Sequence, residues 1–110
     1  MKMPNCQNAV VDAAKLLDYC LNPVHPRGRY KARVFAASLG LTDAKADKLR
    51  DALLNSACSD DAIRGELDDY GQRYVIDFTM STAAGQAAIR SAWMVRRGED
   101  FPRLLSCYVL

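Results

Sequence analysis

Gln72-Arg73-Tyr74-Val75-Ile76-Asp77-Phe78-Thr79-Met80 is the stretch whose pattern decides the fold. Tyr74, Ile76 and Phe78 alternate against Arg73, Val75, Asp77 and Thr79, the period of two that a strand with one buried face requires. Downstream, Ser81-Thr82-Ala83-Ala84-Gly85 reads as a hairpin loop. Residues 86–96 follow as a strand in which Ile89, Ser91, Trp93 and Val95 oppose Arg90, Ala92, Met94 and Arg96. Arg97-Gly98-Glu99-Asp100 turns the chain, and residues 103–109 close the series, with Pro102 acceptable at the strand entry. Upstream, residues 62–69 read as a first strand ended by Tyr70-Gly71. Consecutive strands on short loops predict an antiparallel meander.

The preceding half carries the helical period. Asp12 suits an N-cap, and residues 13–21 place Leu16, Leu17, Cys20 and Leu21 at helical spacing. Asn22-Pro23 stops that helix, because proline disfavours helical geometry in the residue before it. Residues 22–28 then form a loop constrained by Pro23, Pro26 and Gly28. Residues 29–39 are helical again, with Tyr30, Val34, Ala37, Phe35 and Leu39 able to face inward. Gly40 reads as a helix-ending glycine and Leu41 as the apolar residue that packs back. Thr42 caps a third helix over 43–57, where Leu49, Ala52, Leu53 and Ala57 form the apolar stripe and a mixed charged face is left to solvent. The expectation is an α+β fold, one domain over 1–110. About three N-terminal helices (roughly 9–58) pack on a C-terminal four-stranded antiparallel β meander (roughly 62–110).

The formal net charge is only +2, so affinity for a polyanion has to come from a local patch. No stretch approaches the roughly 20 apolar residues of a membrane span. The N-terminal residues lack the apolar core of a signal peptide, so a cytoplasmic protein without membrane association is expected. Cys6, Cys20, Cys58 and Cys107 are widely separated and form no Cys-x-x-Cys pair. Reduced thiols, no metal site and no cofactor are the expectation. Dinucleotide, Walker and nucleophile-elbow motifs are missing.

The local patch is His25-Pro26-Arg27-Gly28-Arg29-Tyr30-Lys31-Ala32-Arg33, which holds the only histidine and four basic residues without one carboxylate. Cleaving RNA without a metal takes a base for the 2′-hydroxyl, an acid for the 5′-oxygen and cations for the phosphorane charge. Imidazole suits both proton tasks, which singles out His25. Arg27, Arg29, Lys31 and Arg33 supply cations, arginine in bidentate fashion. Tyr70, Ser91, Arg103, Ser106 and Tyr108 are polar residues near strand ends or on the sheet that can complete a site. Tyr74, Trp93 or Tyr108, if exposed, can stack a base. Against these stand plainer readings: a loop histidine bonded to backbone, arginines paired with Asp12, Asp18, Glu66 or Asp68, and Trp93 as core packing.

The segments Leu21-Asn22-Pro23-x-His25-Pro26-x-Gly28-x-x-Lys31-Ala32-Arg33-x-Phe35, Tyr70-Gly71-x-x-Tyr74-Val75-Ile76-Asp77, Arg90-Ser91-x-Trp93 and Gly98-Glu99-Asp100-x-Pro102-Arg103-Leu104-Leu105-Ser106-x-Tyr108 resemble the signature of an uncharacterised bacterial family, a domain of unknown function. Members of that family occur as small standalone proteins and as terminal modules of toxin-like proteins. Helices followed by a four-stranded meander are also similar to barnase, EndoU, colicin-D-type and RelE-like ribonucleases, which need no metal. The resemblance implies a helical contribution from His25, Lys31 and Arg33 and a strand contribution from Ser106 and Tyr108. The expected function is RNA binding with metal-independent ribonuclease activity of a toxin-like kind. In that reading Arg27, Arg29, Arg103, Tyr70 and Trp93 contact the nucleic acid. The alternative is a non-catalytic interaction module of antitoxin, immunity or phage-inhibitor type, using the basic face on an acidic partner. A cognate inhibitor is the protein partner that the toxin-like reading implies.

Overall fold

The computed structural model describes residues 1–110. It contains three helices packed against a four-stranded antiparallel sheet, an α+β fold. Helix α1 begins as an α-helical turn, Ala13–Lys15, and continues as a π-helical segment, Leu16–Cys20. The Asp12 carboxylate caps it by accepting the Ala14 N–H at 2.9 Å. Helix α2 spans Arg29–Leu39, and α3 spans Ala46–Ser59 behind a 3-10 turn at Asp43–Lys45. Thr42 makes no side-chain cap, so the entry to α3 is set by that turn. Gly40 ends α2 in the left-handed region at φ 64°, a conformation that a Cβ disfavours. Its N–H donates to Ala36, the Leu41 N–H donates to Phe35, and Leu41 is buried.

The sheet runs β1 (Ile63–Leu67), β2 (Gly71–Thr82), β3 (Gly85–Arg96) and β4 (Pro102–Val109), in that spatial order. Only Ala83 and Ala84 separate β2 from β3, so both strands reach into what the sequence assigns to a five-residue loop. The expected alternation holds. Tyr74, Ile76 and Phe78 on β2 and Ile89, Ser91 and Trp93 on β3 are buried beneath the helices, joined by Leu104 and Cys107 of β4. The opposite face carries the cross-strand row Asp77, Arg90 and Tyr108. A bulge in β4 between the partners of Ala92 and Trp93 inserts Leu105. The bulge in β1 twists an otherwise open edge, a device that discourages strand-to-strand association.

Two sequence expectations are corrected by packing. Helix α2 buries Ala32, Phe35 and Leu39, whereas Tyr30 and Val34 lie in solvent. The thiols are not all reduced either: Cys6 and Cys58 form a disulfide with Cα atoms 5.2 Å apart. That crosslink holds the N-terminal residues, including buried Met3, onto the end of α3. Cys20 and Cys107 are free. No helix is long and apolar enough to cross a membrane.

Candidate functional site

The loop ahead of α2 is pinned by close backbone approach. A Cβ on Gly28 would stand 2.5 Å from the Tyr19 carbonyl oxygen, so glycine alone lets the loop lie on the π-helical segment. His25 folds back onto the same loop, its Nδ1 accepting the N–H groups of Arg27 and Gly28 at 3.0 Å each. Its ring meets Tyr19 edge to face at 4.9 Å. A ring nitrogen that accepts carries no proton, so the neutral imidazole holds its proton on Nε2. This geometry leaves Nε2–H as a hydrogen-bond donor; either proton task would require Nδ1 to release the two backbone N–H groups.

None of Arg27, Arg29, Lys31 or Arg33 takes part in an ion pair; the five salt bridges all lie elsewhere. Arg29, Lys31 and Arg33 have aromatic partners instead. The Arg29 guanidinium lies 4.8 Å from the centre of the Tyr30 ring and donates to its hydroxyl at 3.1 Å, while Arg33 stands 5.7 Å from the same ring. Tyr30 is 61% exposed. The Lys31 ammonium lies 4.6 Å from the centre of the Tyr108 ring on the edge strand β4. Beside Tyr108, Arg90 grips Asp77 in a bidentate pair at 2.9 Å. That pair holds the Asp77 carboxyl below its ordinary range, with burial opposing it. It also holds the Arg90 guanidinium above its own range, an effect to which the Tyr108 hydroxyl adds. The result is two cation–tyrosine groups, Arg29 and Arg33 about Tyr30 and Lys31 on Tyr108.

A shallow cleft of about 370 Å³ lies between the π-helical segment and β4, lined by Lys15, Tyr19, Leu105 and Ser106. Ser106 therefore faces the same side of the molecule as the His25 loop, which reaches the cleft through Tyr19. The chain neighbours Cys20 and Cys107 are buried.

The remaining expected residues are elsewhere. Trp93 is fully buried and its indole N–H donates to Ser91 Oγ, which in turn donates to the Ile76 carbonyl. Trp93 and Ser91 are core, and Trp93 offers no ring to a base. Tyr74 is likewise buried. Arg103 is held by Glu99 in a bidentate pair at 2.9 Å, five residues along β4 from Tyr108, a separation of about 16 Å at strand rise. Tyr70 stands at the β1–β2 turn over a separate cavity of about 460 Å³ with Arg73, Met94, Arg96 and Leu105. Its neighbour Gly71 pairs with Arg96, six residues from the Asp77 row, so the Tyr70 end of that cavity is about 20 Å from Tyr108, while Leu105 lines both this cavity and the Ser106 cleft. The structure thus places Lys31 against Tyr108, His25 against Tyr19 beside the Ser106 cleft, and Arg29 and Arg33 about Tyr30, while Arg103, Tyr70 and Trp93 belong to none of these groups.

Four residues of this surface escape the sequence reading: Tyr30, Arg90, Lys15 and Tyr19. For Tyr30 a signal exists. Ala32, Phe35 and Leu39 recur at i, i+3 and i+7, and that stripe leaves Tyr30 outside.

No curated protein matches the chain. A family model does, over residues 2–110, and it spans both the cationic turn and the last strand. The chain belongs to the DUF6883 family, a domain of unknown function.

Proposed function

We propose that the loop before α2, the first turns of α2 and the Tyr108 edge of β4 bind the backbone of RNA. One observation carries this reading: four cations within seven residues stand without a carboxylate partner, Arg29 and Arg33 beside the exposed Tyr30 ring and Lys31 against Tyr108. Unpaired surface cations crowded at one place repel one another, and a polyanion relieves that repulsion. Tyrosine faces and guanidinium planes accept unstacked bases, which favours single-stranded over duplex RNA.

The same surface meets part of the requirement for metal-independent cleavage by 2′-hydroxyl attack. His25 Nε2–H is a hydrogen-bond donor for a phosphate oxygen, Lys31 and Arg33 are cations for the phosphorane, and Ser106 and Tyr108 are hydroxyls for the scissile phosphate. With Nδ1 engaged by backbone, the arrangement provides neither a poised acid for the leaving 5′-oxygen nor a base for the 2′-hydroxyl. Binding is therefore the proposed function, and cleavage is the outcome that would extend it. RNA as ligand implies action in the cytoplasm, where the Cys6–Cys58 crosslink would be reduced.

Fluorescence anisotropy with a labelled single-stranded RNA, in EDTA, tests this. The proposal expects binding that weakens with salt along a log–log slope near −3, from about −0.7 per neutralised phosphate and four cations. Product ends bearing 2′,3′-cyclic phosphate would add the ribonuclease activity. An absence of RNA binding, with capture of an acidic protein lost in Arg29→Glu or Arg33→Glu, would replace the proposal with the interaction-module reading.

A further inference from the structure

Strand β2 outruns its neighbour on one side. β1 pairs with it only from Gln72 to Val75, so residues 76–82 border no strand on that edge. Alternate residues of an antiparallel strand point their backbone groups to opposite neighbours. The far side of β3 fixes which ones point outward here. Ala88, opposite Thr79, accepts the Leu110 N–H and so directs its own groups toward β4. The N–H and C=O groups of Asp77, Thr79 and Ser81 therefore point into the open edge, and all three residues are exposed. An unpaired row of this kind is a template for another strand.

Beside it lies a groove of about 400 Å³ between β2 and α3. Helix α3 lines it with Ala52, Asn55, Ser56 and Ser59, small or polar side chains at i, i+3, i+4 and i+7. Phe78 and Met80 form its apolar wall. The end next to Asp60 is negative. That carboxylate, directly after α3, has no cation partner, and the helix C-terminus adds the negative pole of its dipole.

We propose that this edge takes up an extended segment of a partner protein as an added strand, antiparallel to β2 and in line with β1. The segment places an apolar side chain against Met80 and a lysine or arginine against Phe78 and Asp60. Backbone bonds to Asp77, Thr79 and Ser81 supply affinity, and the two inward side chains supply selectivity. A long basic side chain suits the groove because its aliphatic stem covers the Phe78 ring while its charge meets Asp60. Charge also decides against a second copy of the chain. Pairing of two β2 edges about Thr79 would bring two Asp60 carboxylates and two helix C-termini to the same seam. The proposal is independent of the RNA reading, whose residues lie on other elements.

The test titrates full-length protein with the peptide acetyl-Thr-Val-Thr-Lys-Thr-amide to millimolar concentration and follows amide chemical shifts. Shifts should cluster at residues 77–81 and 55–60 and spare 25–33. Thr79→Pro should abolish them, since proline there removes only the outward N–H and spares the β2–β3 ladder. Asp60→Lys should weaken binding by about two- to fivefold, the worth of a surface ion pair, and a probe with glutamate in place of lysine should show the reverse preference. Should Thr79→Pro fail to fold, that charge swap decides. No shifts at 77–81, equal binding by Thr79→Pro, or equal binding of the lysine and glutamate probes would overturn the proposal. So would shifts at 77–81 that grow with protein concentration alone, which would give the edge to a second copy.

Discussion

The ammonium of Lys31, in the first turn of α2, stands 4.6 Å from the centre of the Tyr108 ring, on the last strand of the chain. This single contact ties the first turn of α2 to the end of the sheet. Half-exposed cation–π contacts of this kind contribute about 0.5–1 kcal/mol. Lys31→Met should therefore lower stability in urea by about that amount. It should also remove one phosphate contact and make the salt slope of RNA binding shallower by about 0.7. Tyr108→Phe should leave stability and slope near those of the unaltered protein, because the ring remains.

His25 has a structural task that can be separated from any chemical one. Its Nδ1 satisfies two backbone N–H groups, so His25→Ala should cost about 1–3 kcal/mol in chemical denaturation by leaving them unpaired. His25→Asn restores an acceptor near the Nδ1 position and should recover most of that loss. Should cleavage be observed, His25→Asn should still lack it, since Asn has no ring nitrogen to take up and release a proton.

Gly28→Ala tests how the loop is held. The added methyl would meet the Tyr19 carbonyl at 2.5 Å, and backbone has to move to admit it. A loss of about 1–3 kcal/mol is expected from such overpacking. RNA affinity should fall as well, because the loop carries Arg27 and leads into Arg29.

Much of the fold is written locally, whereas most of the site is not. The two-residue period of Tyr74, Ile76 and Phe78 and the glycine at 40 each specify their neighbours' geometry directly, and the strands and the end of α2 follow. The hairpin at Ala83-Ala84 has no Asn-Gly or Asp-Gly signal, so its tightness is hidden. Tyr30 is misjudged as core because aromatic character outweighs the small Ala32 that actually faces the sheet. Lys31 and Tyr108 lie on different elements, and no periodicity relates them. The same holds for Cys6 and Cys58, whose separation of 52 residues carries no motif.

That separation sets the size of the crosslink's effect. Closing a loop of 52 residues removes chain entropy worth about 4 kcal/mol from the unfolded state. Reduction with dithiothreitol, or Cys6→Ser with Cys58→Ser, should lower unfolding free energy by about 2–4 kcal/mol. Urea titration of oxidised and reduced protein measures it.

Acid stability follows from carboxylates held below their ordinary range. Backbone N–H groups led by that of Tyr70 lower Asp68, Arg90 lowers Asp77 and Arg103 lowers Glu99. In the window between their folded and unfolded values the unfolded chain binds more protons, so stability rises with pH there. Stability should be flat near neutral pH, then fall as pH drops below the usual carboxylate range and through the folded values. Denaturation across a pH series should show this, and the fall should be smaller in Asp77→Asn, which no longer loses an ionised partner for Arg90.

The most direct measurement is an amide chemical-shift titration of the protein with a short single-stranded RNA. The account predicts that the perturbed amides cluster at residues 25–33 and 106–108, with Tyr70, Arg73 and Arg96 unmoved and the response reduced by Arg29→Glu with Arg33→Glu. Perturbations centred on Tyr70 and Arg96, or none at RNA concentrations well above micromolar, would contradict it.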